Sequence, residues 1–423
     1  MKELMSSNKQ FRFFAIYQLF SGIGNGMFGF FMLLGVHLLY RNPVYTGISA
    51  FLFGLPFIVA FIAGPLVDAS NKVKIMRITS FVEFVALAVL VAFTVFGEIP
   101  VLVMFAVILG FSVAALFEGV SGNAFLRQIV DEDKLLEANS AINVISLVGG
   151  LGVAAAMFRM VAEDRLDFTI IFGLSMVFVA LAFLLSFFLR DTGIRSTLKG
   201  DGDGNGDEKS HSYFANLKEG AAFLKHSVLL FFLMGTTVRM FIMEAAYVNM
   251  PAFVEHHWGA RGYILLAVMS MIGGLFASII VGRFGKHLRV GQFLFMLLLL
   301  AGAVRIVFAY LLPESLTGSQ GLHILYATIG SSMGIVSGTM AQKLSPKDMV
   351  ARVGTLSTTI TAISTAIGAL FGGWLGGIVA DTGNIFVIQG AVYIVVSICL
   401  ILVPRVRHLP KMNELEEVTN EST

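Results

Sequence analysis

Apolar residues fill this chain in long runs broken by short polar turns. Twelve runs stand out, at about 13–39, 45–67, 75–96, 100–126, 136–161, 168–189, 228–254, 263–281, 290–312, 321–341, 350–380 and 385–403. Each has the length an α-helix needs to cross the hydrocarbon core of a bilayer. With no water at that depth, every backbone N–H and C=O must be satisfied inside the segment, which leaves helices as the reading for runs of this kind. The pattern therefore predicts an all-α membrane protein of twelve transmembrane helices. The first run is too long for the core of a signal peptide and shows no small-residue cleavage site, so it reads as a retained first helix.

The polar breaks orient the chain. With the N-terminus inside, the cytoplasmic segments carry 23 of the 29 Lys and Arg. The outer segments carry only Arg41, Arg159, Arg165 and Arg261, and Arg239 and Arg305 lie within spans. Such a bias places both termini in the cytoplasm. The spans divide six and six around a polar stretch. The expected domains are thus an N-terminal half at 1–190, a linker at 191–226, a C-terminal half at 227–405 and a tail at 406–423. The middle of the linker, GDGDGNGDEKSHS, is rich in Gly and Asp and reads as a flexible connector. Its last part, YFANLKEGAAFLK, turns amphipathic and is expected to lie along the inner membrane surface.

The halves are weakly alike. SGNAFLRQ at Ser121 precedes the fifth span and SGTMAQK at Ser337 precedes the eleventh, 216 residues later. GRFGKHLR at Gly282 lies 218 residues after Gly64, in the matching loop of the second half. Two anchors at nearly one offset argue for a duplicated six-helix unit, a transporter arrangement with its substrate site near midplane.

Composition narrows the functional classes. Apolar residues make up 57% without counting 44 glycines, and charged residues only 13%, far from a soluble domain. A net charge of +2 gives no basic surface for nucleic acid. A single cysteine, Cys399, precludes an intrachain disulfide. No G-x-x-x-x-G-K-[ST], G-x-S-x-G or H-E-x-x-H occurs, so P-loop ATP use and the common hydrolase chemistries are not expected, and neither is an enzyme. The Asp201 stretch partly fits a calcium loop but has Ser212 where a bidentate Glu is needed. His256 and His257 are adjacent on an expected outer loop and do not converge on one ion. No metal or cofactor is expected.

The turn GPLVDASNKVKIMR from Gly64 to Arg77 separates the second and third spans. Gly64, Leu66, Asp68, Lys72 and Lys74 fit the G-x-L-A-D-R-x-G-R-R loop of the major facilitator superfamily, although Ala69 stands where that family usually has Arg. The chain resembles that superfamily over nearly its whole length. It is most similar to twelve-helix bacterial efflux proteins of the macrolide-exporter type, on FRFFAIYQLFSGIGNGMF in the first helix, LKEGAAFL before the seventh and VNMPAFV at its end. The resemblance implies a rocker-switch carrier of amphipathic molecules driven by the proton gradient. It also implies that Asp68 is a cytoplasmic gate meeting the start of helix 11 near Arg352, with Gly64, Lys72 and Lys74 in the same element.

Three departures bear on coupling and leave the fold expectation untouched. Asn25 stands where those relatives often have Asp. The Arg-containing motif of helix 4 is absent from GFSVAALFEGVSG. The helix 5 motif G-P-x-x-G-G is replaced by LVGGLG, which has no Pro, while GALFGG at Gly368 occurs in the eleventh span.

Charges deep within spans carry the remaining information, since each costs about 2.5–3.5 kcal/mol at the bilayer centre on the insertion scale and should face protein or water. Glu244 and Arg239 share the seventh span but lie about 140° apart around the helix, so each is expected to find a partner elsewhere. Glu244 is the first candidate for proton coupling and Glu118, in the fourth span, the second. Arg239, Tyr247, Tyr17, Gln18 and Asn25 are candidates for the substrate cavity, among Phe and Met side chains suited to lipophilic ligands. Glu83 and Arg305 fall on helices that are peripheral in the resembled family and read as partnered structural charges.

The expected function is secondary active export of lipophilic or amphipathic small molecules, as in drug resistance, across the cell membrane by proton antiport. Lipid-like or siderophore-like cargo, uncoupled facilitation and a non-transporting sensor are the alternatives. Protons, membrane lipid and the small-molecule substrate are the expected partners, and the expected state is a monomer.

Overall fold

The structure is a computed structural model describing residues 8–131, 134–135, 138–139, 141–142, 145, 149–150, 167–191, 222–225, 227–285, 289–345, 350–412 and 414. Most of the expected linker and most of the fifth span lie outside these residues. The chain separates into two compact units, Met1–Asp201 and Gly202–Thr423.

The first unit contains α1 (Lys9–Tyr40), α2 (Pro43–Ile58), α3 (Ala60–Asp68), α4 (Lys72–Phe96), α5 (Val101–Ile129) and α6 (Phe168–Ser186). Caps account for their starts. Asn8, Asn42, Asn71 and Asp167 each place a side-chain oxygen on a free N–H of the first turn, satisfying donors that have no partner within the helix. Pro43 occupies the first position of α2, where its missing N–H costs nothing. Pro56 inside the same span removes a helical donor, and the helix stops at Val59 before resuming as α3. The second span is therefore two helices instead of the one expected.

The second unit contains α7 (Leu229–Tyr247), α8 (Met250–Phe284), α9 (Val290–Leu311), α10 (Leu316–Leu344), α11 (Val350–Ile378), α12 (Gly383–Ile401) and the short α13 (Pro404–Arg407). The turn expected to follow residue 254 comes earlier, at Val248 and Asn249, and helix resumes at once with Pro251 in its first turn. Residues 255–262, expected as an outer loop and carrying His256 and His257, are helical. Only Gly259, at φ 64, leaves the helical region and bends the element there. Polar residues lower hydropathy without breaking a helix, which is why this segment reads as a loop.

Among the described residues ten helices are long and apolar enough to cross a membrane, the shorter α2 is also apolar, and there is no β-strand. The molecule is an all-α multi-pass membrane protein.

The duplication extends to the packing. In the first unit α1 packs on α6, α4 on α5 and α6, and α2 on α5. In the second, α7 packs on α12, α9 on α10 and α12, and α8 on α10. These are the same pairings carried forward by six spans. Gly149 of the fifth span lies against Leu19 and Ile23 of α1. Gly368, 219 positions later, lies against the backbone of Phe241, 218 after Ile23. Glycine is required there, because a Cβ on Gly368 or Gly372 would fall on backbone atoms of α7.

Candidate functional site

The first unit holds a buried polar cluster in an otherwise apolar interior. Tyr17, Ser21 and Asn25 lie four residues apart on α1, which stacks them on one helical face. That face meets Glu118 of α5 and Ser80 and Glu83 of α4. Glu118 collects the donors. Tyr17 Oη and Ser21 Oγ both donate to its Oε1, the serine at 2.6 Å, and Asn25 Nδ2 donates to its Oε2 at 3.0 Å. Tyr17 also shares a hydrogen bond with Ser80 at 3.0 Å. Glu83 is treated differently. Its Oε1 accepts from the same Asn25 amide, at 3.5 Å, its carboxyl also meets that of Glu118, and its Oε2 is buried with no hydrogen-bond partner among the described residues.

Two carboxyl groups thus bracket one amide nitrogen, and no cation pairs with either among the described residues. Both are buried, Glu83 completely and Glu118 to within 5%. Such a pair resists carrying two negative charges at once, and isolated charge is costly away from water. The arrangement can hold one carboxylate ready-solvated by donors at Glu118 and one exchangeable proton at Glu83.

The structure brings Tyr17, Asn25 and Glu118 together. Gln18 is outside the cluster and lies against Gly122 of α5. Glu83, read from the sequence as a structural charge, has no countercharge and belongs to the cluster. Ser21 and Ser80 were not anticipated, although the Tyr17–Ser21–Asn25 spacing is a polar stripe legible in the sequence.

In the second unit the buried charges are cationic. Arg305 of α9 is 3% exposed, and its guanidinium lies over the ring of Tyr326 of α10, 3.7 Å from the centroid. Its Nε and Nη1 have no hydrogen-bond partner. Tyr326 and Tyr393 of α12 share a hydroxyl–hydroxyl bond of 3.2 Å, and Gln389 Nε2 donates to both oxygens, at 3.1 and 3.0 Å. The expected structural partner of Arg305 is therefore an aromatic face. Arg239 of α7 is 8% exposed and among the described residues donates only to sulfur, at 3.7 Å from Met240 and 3.8 Å from Met243. It lines a cavity of about 360 Å³ bounded by α7, α10 and α11. Glu244 is half-buried with no hydrogen-bond partner among the described residues, and Tyr247 is 42% exposed.

The gate candidates fall at helix ends. Gly64 lies within α3 and Asp68 closes it, Lys72 and Lys74 are in the first turn of α4, and Arg352 is in the first turn of α11. The carboxylate on the N-terminus of α4 is Asp191, whose Oδ2 accepts from the Lys72 N–H at 3.2 Å. Arg77, one turn on, donates to the Ser186 carbonyl at 3.2 Å and covers the Phe187 ring at 4.3 Å.

A family model described as Major Facilitator Superfamily matches residues 14–368. No curated protein sequence matches the chain. Among solved structures, the nucleoside transporter NupG superposes with a TM-score of 0.73 at 12% identity, covering 92% of this chain and 99% of its own. The peptide transporter POT in complex with sulfate gives 0.71 at 13%, covering 94% and 96%. A bacterial homolog of the human lysosomal transporter Spinster, inward-facing and unoccupied, gives 0.60 at 13%, covering 97% of each chain. At these identities the likeness is one of fold.

Proposed function

The chain belongs to the major facilitator superfamily, a family of secondary transporters of small molecules, and from that premise we propose that it exports lipophilic or amphipathic compounds from the cytoplasm in exchange for protons. The observation that carries the proposal is the Glu83–Glu118 pair joined through Asn25. A proton-coupled carrier needs a buried group that is stable both with and without its proton. Glu118, held by Tyr17, Ser21 and Asn25, gives the cluster a fixed anion. Glu83, with an unpartnered oxygen, is the group that takes up and releases the proton. Tyr17 and Asn25 serve this exchange by orientation. Glu244, half-buried and with no hydrogen-bond partner among the described residues, is a further proton-accepting position in the second unit.

The Lys and Arg distribution supports a cell-membrane orientation with both termini cytoplasmic. Asp68, Gly64, Lys72, Lys74 and Arg352 are proposed to act in closing the cytoplasmic side.

The test is accumulation of a panel of lipophilic dyes in cells expressing the protein, with and without a protonophore. Lower accumulation that the protonophore abolishes, and that Glu83→Gln and Glu118→Gln each lose, is the expected result. Efflux that ignores both the protonophore and the two substitutions would overturn proton coupling. An unchanged panel would overturn lipophilic export.

A further inference from the structure

Arg239 is a buried cation that meets no anion among the described residues. It is 92% buried, and among the described residues its guanidinium donates only to two thioether sulfurs. Sulfur of this kind is a weak acceptor. Leaving a guanidinium without a countercharge in an apolar interior is strongly unfavourable. The position makes sense where a carboxylate or phosphate arrives from outside the chain.

The surroundings say what else that anion carries. The cavity that Arg239 lines is about 360 Å³, within the range of small-molecule sites. Its wall on α10 is formed by missing side chains. A Cβ on Gly334 or Gly338 would meet nothing within 4 Å, so these glycines serve neither a turn nor a close helix contact, and they leave room. On α11 the hydroxyl of Thr358 donates to Gly354 O and that of Thr361 to Ser357 O and Thr358 O. With their hydroxyls turned to their own backbone, both threonines lend methyl groups to the wall. Phe232, Leu233 and Met333 add apolar surface, Thr236, Ser337 and Ser357 bring hydroxyl groups, and Arg239 is the one charged residue of the lining.

We infer that this cavity is a binding site for an amphipathic organic anion, one negative headgroup on Arg239 and an alkyl or aryl body against α10 and α11. The inference rests on the transporter reading for its purpose and narrows the cargo from lipophilic compounds in general to those bearing a carboxylate or phosphate.

The test is direct binding to purified full-length protein in a neutral maltoside detergent, by scintillation proximity with radiolabelled decanoate. Competition by decyl phosphate, inorganic phosphate, decanol and decyltrimethylammonium separates headgroup from chain. The expected result is saturable binding displaced by decyl phosphate but not by decanol or the alkylammonium, with inorganic phosphate at least about tenfold weaker. Arg239→Gln should weaken binding at least about tenfold, and Arg239→Lys should retain most of it. Gly334→Leu fills the cavity while keeping the cation and should abolish binding, which decides the matter if Arg239→Gln does not fold. Equal displacement by decanol and decyl phosphate, or decanoate binding that survives Gly334→Leu, would overturn the inference. Glu118→Gln keeps decanoate binding even as it loses coupled efflux, so failure of the coupling proposal and failure of the anion site give different results.

Discussion

The side-chain amide of Asn25 stands 3.0 Å from Glu118 Oε2 and donates to it. The same nitrogen is 3.5 Å from Glu83. An asparagine where a carboxylate would be expected in a proton-coupled carrier is here the donor that lets two carboxyls occupy one buried site. Asn25→Asp should therefore impair the protein, because it turns the shared donor into a third acceptor beside two carboxyls. In cells loaded with dye, Asn25→Asp should lose most coupled efflux. Adding Glu83→Gln to the same chain restores one amide and two carboxyls, so thermal stability lost in Asn25→Asp should partly return in detergent, while efflux stays lost without the Glu83 carboxyl. A double variant no more stable than Asn25→Asp would refute the shared-donor account.

Arg305 rests on an aromatic face in a buried site, and Tyr326 supplies it. Removing that ring should cost more than removing its hydroxyl. Tyr326→Phe gives up the bonds to Tyr393 and Gln389, about 1 kcal/mol. Tyr326→Leu also strips the cation of its ring, for about 2 kcal/mol more. Thermal unfolding in detergent should rank wild type above Tyr326→Phe above Tyr326→Leu. The reverse order of the two variants would mean that the hydroxyl network, not the stacking, holds Arg305.

Close approach of α7 and α11 depends on glycine. Gly372 abuts the backbone of Ala245, and its carbonyl accepts from Asn249 Nδ2 at 2.8 Å. Gly372→Ala should separate the helices and break that bond, giving aggregated protein on size-exclusion chromatography. Gly330→Ala, at a position with nothing within 4 Å, should remain monodisperse. Two indistinguishable elution profiles would contradict the contact.

Asp191 lies on the N-terminal N–H of α4 at the membrane edge. A carboxylate there adds about 0.5 kcal/mol through the helix dipole, and salt screens it. Asp191→Asn should lower the unfolding temperature slightly at low ionic strength. The gap should close as potassium chloride is raised; a gap independent of salt would point to packing instead.

The fold was legible because the bilayer imposes its length on every span. The six-and-six division and the duplication were visible in the loop matches, and the packing of Gly149 and Gly368 repeats them. What hydropathy does not record is backbone detail. The break after Pro56 and the helical course of 255–262 both escape a scale that scores side chains. The acidic site was half legible. Tyr17, Asn25 and Glu118 stand out as polar residues in apolar runs, but Glu83 was assigned by the place of its helix in a resembled family, and only the three-dimensional meeting of α1, α4 and α5 joins it to them. Arg239 stood out as a charge in a span, yet the emptiness beside it comes from glycines on a different helix. An amphipathic cavity carries no residue-by-residue code, which keeps the cargo out of reach of the sequence.

The repeated pairing of helices has a consequence for how such a molecule diversifies. Both copies of the six-helix plan keep the same neighbours, yet the buried glutamates Glu83 and Glu118 belong to the first copy and the buried arginines Arg239 and Arg305 to the second. The scaffold is thus indifferent to the sign of the charge it encloses. After a duplication, one copy can specialise in cations and the other in anions through a handful of substitutions, with no helix having to find a new neighbour.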